Sequence, residues 1–123
     1  MGYRPRILFV CTMNQWRSPT AERIWRESPD VEVRSRGLSS KAVRRLNQRD
    51  VEWADAIFVM TNEQRDRLLE SHGAGVDKSE LHVLDIPDDF QLMDPELVDL
   101  IRERAGREIE RLVAAGDSRD RPT

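Results

Sequence analysis

Four short apolar runs, separated by stretches of helical patterning, constrain this chain more than any other feature. Arg6-Ile7-Leu8-Phe9-Val10 and Ala56-Ile57-Phe58-Val59-Met60 show little polar alternation, as expected of strands covered on both faces. Val31-Glu32-Val33 alternates like a shorter strand, and Leu81-His82-Val83-Leu84-Asp85-Ile86 reads as another, stopped by Pro87. Between the first two lies a helical stretch from Pro19 to Glu27, with Ala21, Ile24 and Trp25 on one face and Ser28-Pro29-Asp30 as its break. Gly37 and Ser39-Ser40 open a loop, after which Ala42 to Leu46 is expected to form a short helix.

Thr61-Asn62-Glu63-Gln64 has the form of a capping box and starts a helix directed toward His72-Gly73. Asp94-Pro95 supplies a cap and a first-turn proline to the last helix. Its buried face carries Leu97, Ile101, Ala105, Ile109 and Leu112, and Gly116 is expected to end it. A single domain over residues 1–116 and a disordered polar tail over 117–123 follow from this pattern. Strands alternating with helices imply right-handed crossovers, hence an α/β fold of three layers, α/β/α, with a four-stranded parallel sheet. Such sheets bind ligands beyond the carboxyl ends of their strands. The segments 11–18 and 87–90 therefore belong on one edge.

The bulk numbers exclude more than they assign. Net charge is −3 with 35% charged residues, which lacks the basic excess of a general nucleic-acid surface. No apolar run approaches the length of a membrane span or of a secretory signal, so a cytoplasmic protein without membrane association is expected. The single cysteine excludes an intramolecular disulfide and any paired-cysteine zinc or redox motif. Two histidines without cysteine neighbours give no credible metal site, and neither metal nor cofactor is expected.

That one cysteine opens Cys11-Thr12-Met13-Asn14-Gln15-Trp16-Arg17-Ser18-Pro19, where five residues separate cysteine from arginine, as in the loop of cysteine-dependent phosphatases. Five residues between a strand and a helix can curl so that successive N–H groups converge on one anion. The helix adds its positive N-terminal end, and Arg17 can close the ring with a planar fork matched to two phosphate oxygens. Thr12, Met13, Asn14, Gln15, Trp16, Arg17 and Ser18 are the expected phosphate-binding set, with Cys11 beneath the phosphorus as nucleophile. Donors and a guanidinium around the sulfur favour its thiolate form, and Ser18 can donate to it. Asn14 tolerates the left-handed backbone that a tight nest requires. The Cys–Arg spacing alone is weak, because cysteine at a strand end is commonly just buried. The strand before it, the helix after it and the sheet edge strengthen it.

Leu8-Phe9-Val10-Cys11 through Arg17-Ser18-Pro19-Thr20-Ala21-Glu22 resembles the signature of the low-molecular-weight protein tyrosine phosphatases. Ser35-Arg36-Gly37, Ala54 to Thr61, and Ile86-Pro87-Asp88-Asp89-Phe90 resemble further segments of that family in the same order. The resemblance implies a phosphatase acting on phosphotyrosine proteins or small aryl phosphates and releasing inorganic phosphate. It also implies a phosphocysteine intermediate and Asp88 as general acid. Of the other carboxylates considered for that role, Asp89 adjoins it, Asp85 lies in a strand and Asp94 is better used as a cap. The family usually has glycine where this chain has Met13, and a second cysteine where it has Trp16.

Three other functions use a similar loop. An arsenate reductase would have to draw on external thiols. A phosphocysteine carrier has no need of Arg17 and an acid together. A phosphate- or phosphoprotein-binding module would bind without turnover. His72 is read as a helix terminus, His82 as a packed strand residue, Trp25 and Trp53 as core or its margin, and Trp16 as a pocket rim. The sets Arg44-Arg45 and Arg102-Arg104-Arg107 are read as solvated faces.

Overall fold

Ile7, Leu8, Phe9 and Val10 are each fully buried, so the strand they form, β1 (Arg6–Cys11), must be covered on both faces and flanked on both edges. The computed structural model, which describes residues 3–76 and 79–119, places it accordingly. β2 (Glu32–Gly37) lies along one edge of β1 and β3 (Ala56–Val59) along the other, and β4 (Glu80–Val83) extends the sheet from β3. All three pairings are parallel, in the order β2-β1-β3-β4. Register sets Cys11 opposite Gly37 and Val10 opposite Val59, so the ends of β1, β2 and β3 are level.

The alternating side chains of β1 divide the core. Ile7, Phe9 and Cys11 face α1 (Arg17–Trp25) and α4 (Pro95–Arg119), packing with Ala21, Leu97, Ile101, Ala105, Ile109 and Leu112. Leu8 and Val10 face α2 (Gln48–Trp53) and α3 (Asn62–Val76) with Val51, Leu68 and Val76. Three layers result, and each large side chain so buried contributes roughly 1.5–3 kcal/mol. On the α1/α4 face a row of stacked rings crosses the sheet: Trp25 on Phe9 at 5.6 Å, Phe9 on Phe58 at 5.4 Å and Phe58 on His82 at 5.0 Å. His82 is thus a packed residue. Among the described residues no helix is long and apolar enough to cross a membrane.

Several local expectations are corrected. Ala42–Leu46 is not a helix but a turn, ending in a bridge between Gly37 and Arg45. Val43 is 68% exposed, which leaves Leu46 as the segment's one core side chain, too little for the apolar stripe of a helix. The helix comes later, as α2, begun by a capping box in which Asn47 accepts from the Asp50 amide and Asp50 accepts from the Asn47 amide. At α3 the box is half formed. Thr61 accepts from the Gln64 amide, but the Gln64 carboxamide turns to the Met60 amide instead. β4 stops at Val83, before the expected Ile86, although Leu84 and Ile86 still donate to Val59 and Met60 carbonyls.

Nor does Gly116 end α4, which continues to Arg119. A Cβ there would lie 2.8 Å from the Tyr3 carbonyl oxygen, so this glycine admits the incoming N-terminal segment rather than terminating the helix. The expected tail therefore begins within a helix, and residues 120–123 lie outside the described residues. Asp94 caps α4 as expected, accepting from the Glu96 amide at 2.9 Å.

Candidate active site

β1 ends at Cys11 on the carboxyl edge of the sheet, and five residues later α1 begins at Arg17. What curls the intervening loop is its neighbour. The amides of Leu38, Ser39 and Val43 donate to the carbonyls of Cys11, Thr12 and Met13 at 3.0, 2.9 and 3.0 Å. The described peptide bonds are all trans, so N–H opposes C=O in each plane. With those carbonyls drawn outward, the amides of Thr12, Met13 and Asn14 turn to the other side. The Asn14 amide accordingly reaches the Cys11 sulfur at 3.2 Å. Gly37 lets the two loops approach. A Cβ there would stand 2.4 Å from the Ala42 Cβ, 2.8 Å from the Thr12 carbonyl oxygen and 3.1 Å from the Asn14 nitrogen. Gly37→Ala is expected to cost about 1–3 kcal/mol by overpacking. Thermal unfolding would show it as a fall of roughly 4–12 °C, with weaker phosphate binding in titration calorimetry.

Asn14 takes a left-handed backbone (φ 56°), as expected, and is buried. Its amide nitrogen Nδ2 donates to Ser18 Oγ at 2.9 Å and to Ser35 Oγ at 3.0 Å. Ser18 Oγ stands 2.9 Å from the Cys11 sulfur. Because that oxygen receives an Asn14 proton, its own can go to the sulfur or to the Arg36 carbonyl oxygen at 3.5 Å. The Asn14 amide and the Ser18 hydroxyl thus both lie within hydrogen-bond reach of the Cys11 sulfur. Arg17 is buried, and its Nη1 donates to the Ile86 carbonyl at 2.9 Å. Its Nε lies 3.7 Å from Asp88 Oδ1. Thr12 is anchored from another element, accepting at Oγ1 from Gln64 Nε2 at 3.1 Å.

Cys11, Thr12, Met13, Gln15, Trp16, Arg17 and Asp88 line one recess of about 40 Å³. Thus two segments expected on one edge meet there. Asp88 lines the recess and Asp89 does not. Asp85 is exposed with φ 56°, and Met93 has φ 59°, so left-handed residues bracket the segment that presents Asp88. The Met93 amide donates to Thr20 Oγ1 at 2.9 Å, and Arg104 donates to the carbonyls of Leu84, at 3.1 Å, and Asp85. Arg104 is therefore a staple for this segment rather than a merely solvated charge.

Gln64, Ser35 and the 38–43 turn were not among the candidates. Gln64 carried a signal only for a helix cap, and the backbone donors of Leu38, Ser39 and Val43 carry none. His72 pairs with Gln48 at 2.9 Å, at a non-helical residue inside α3. Glu80, His82 and Glu108 gather at the opposite, amino end of β4, where Arg111 pairs with both glutamates. Burial alone would raise the Glu80 carboxyl; hydrogen bonds and charge from Arg111 and His82 outweigh it and hold the group below its ordinary value. That cluster is remote from Cys11 and contributes nothing to the recess.

No protein-family model matches the sequence, and no curated protein matches it. Solved structures do match, over nearly the whole chain. The YwlE arginine phosphatase from Geobacillus stearothermophilus is 26% identical with a TM-score of 0.65, over 90% of this chain and 92% of its own. The tyrosine phosphatase Wzb from Escherichia coli K30, solved with phosphate, is 20% identical with a TM-score of 0.71, over 91% and 99%. A low-molecular-weight protein tyrosine phosphatase from Streptococcus pyogenes is 20% identical with a TM-score of 0.67, over 88% and 93%.

Proposed function

From a chain built on the fold of the low-molecular-weight protein tyrosine phosphatases, we propose a phosphatase that hydrolyses phosphotyrosine or small aryl phosphate monoesters through Cys11. One observation carries the proposal: Cys11, Arg17 and Asp88 line a single recess sized for a phosphoryl group rather than a whole substrate. The phosphoryl group enters with its equatorial oxygens on the loop amides and the Arg17 fork. The Cys11 thiolate attacks phosphorus in line while the P–O bond to the leaving group breaks, and Asp88 protonates that oxygen. In the second step the Asp88 carboxylate takes a proton from water, the water oxygen attacks phosphorus, the S–P bond breaks to return the Cys11 thiolate, and inorganic phosphate is released. Every charge that develops has a partner among the chain's own groups. A cytoplasmic location accompanies this reading, since reducing conditions keep a lone thiol free.

Turnover of p-nitrophenyl phosphate with stoichiometric phosphate release is the direct test, and its absence at micromolar enzyme would overturn the proposal. Asp88→Asn sharpens it. Because p-nitrophenolate leaves without much help, kcat is expected to fall only about tenfold on that substrate, but about 10²- to 10³-fold on phenyl phosphate. An equal loss on both would remove Asp88 from the acid role.

A second reading is favoured by the neighbour described as an arginine phosphatase, which shares the fold at 26% identity. A phosphorylated guanidinium would present the same phosphoryl group to Cys11 and take its proton from Asp88 at nitrogen. Parallel kcat/KM values on phosphoarginine and phosphotyrosine peptides separate the two.

A further inference from the structure

The recess takes a phosphoryl group, so the rest of any protein substrate must lie outside it. Gln15 and Trp16 line both the recess and an adjoining cleft of about 390 Å³, whose other walls include Arg23, Arg26, Arg44 and Glu22. The charge there is unbalanced. Glu22 is already committed, accepting from the Ser35 amide at 2.9 Å and Ser35 Oγ at 3.2 Å, with Arg44 at 3.7 Å. Among the described residues, the Arg23 and Arg26 side chains have neither ion pair nor hydrogen bond, whereas Arg34 and Arg36 are both paired with Asp50. Two cations left in water beside a reactive recess, in a chain of net charge −3, are a local feature and not a general one. The other cleft that meets the recess, with Arg17, Arg67, Glu63 and Asp88 among its walls, has two charges of each sign and offers no such bias. Trp16 and Val43, 38% and 68% exposed, add apolar contact suited to a peptide laid along the arginine-lined side.

We propose that this cleft receives acidic residues flanking the phosphorylated residue of a protein substrate, so that the enzyme selects phosphoproteins whose modified residue sits among Asp and Glu. The proposal rests on the hydrolytic reading above. Arg23 in α1 and Arg26 at its C-cap, three residues apart, supply the attraction, and Arg44 reinforces it from the facing turn.

The test uses phosphotyrosine peptides identical except for flanking Asp/Glu, Asn/Gln or Lys residues. Wild-type kcat/KM is expected to be about ten times higher for the acidic peptide than for the neutral one at low salt, with the Lys peptide lower still. That ratio should shrink toward one at high ionic strength. In the R23Q/R26Q protein the ratio should fall to about two or less; it is read within each protein, so a general loss of activity cancels. Equal kcat/KM for acidic and neutral peptides in the wild type overturns the proposal, as does an acidic preference that survives the double substitution. Were no peptide hydrolysed, the hydrolytic reading would fall, and the cleft would be judged by the affinity of the C11S protein for the same peptides. There a tenfold acidic preference lost in the C11S/R23Q/R26Q protein supports it and equal affinities overturn it.

Discussion

Cys11→Ser is expected to lower kcat on p-nitrophenyl phosphate by about 10⁴-fold or more, to the limit of detection by phosphate release. Serine is close to cysteine in shape, and the site is 3% exposed, so the fold should survive with a Tm shift of a few degrees. The chemistry does not survive. A serine hydroxyl must lose its proton to become a nucleophile, and in the first step Asp88, the carboxyl group of the recess, is needed as the acid for the leaving group. The partners of the Cys11 sulfur are Ser18 Oγ and the Asn14 amide, neither of them a base. His72 is engaged with Gln48, and His82 is stacked on Phe58. The proposed step therefore needs a nucleophile that can act without a base, which a thiol supplies far better than a serine hydroxyl. Anion binding should persist in this variant, because the loop amides and Arg17 are untouched; a vanadate or phosphate titration would show it. Residual turnover above about one per cent, with the protein folded, would sink the mechanism.

Arg17→Lys separates the two halves of the site. Arg17 is buried at the start of α1, donates Nη1 to the Ile86 carbonyl, keeps Nε 3.7 Å from Asp88 and lines the recess. A lysine carries the same charge at a point and cannot hold both the Ile86 carbonyl and two phosphate oxygens. A loss of about 10²- to 10³-fold in kcat/KM is expected, with phosphate affinity falling as well. The contrast with Cys11→Ser is diagnostic: one variant should bind and not react, the other should do both poorly. Arg17→Ala would go further, since it also leaves the Ile86 carbonyl without its donor. A charge-only role for Arg17 would instead leave the lysine protein within about threefold of wild type.

How legible this was in the sequence differs by level. β1 and β3 could be read because both are buried on both faces and so carry continuous apolar runs, a signal that survives without partners. The turn at 42–46 was misread because helix propensity competes poorly with what the backbone does there: Val43 donates to Met13, Gly37 donates to Arg44, and Leu46 donates to Gly37. Such bonds depend on main-chain position and leave no mark on residue type. The same blindness hid the support beneath the candidate site. Cys11, Arg17 and Asp88 stood out through spacing and resemblance, and the fold brings them together. Gln64, which ties Thr12 to the end of β3, was visible only as a cap. Gly116 shows the converse, a residue with a strong local meaning overruled by a contact with Tyr3 far away in sequence.

The three amides that tether the carbonyls of residues 11–13 have a final consequence. They preset the bowl during folding, so no guest is needed to shape it and little ordering is left to pay on arrival. A receptor preset in this way sorts its guests by geometry as much as by charge. A tetrahedral oxyanion can meet inward dipoles and a guanidinium at once, while flat anions such as nitrate, bicarbonate or a free carboxylate reach only part of the set. Abundant metabolic acids should therefore leave the pocket clear.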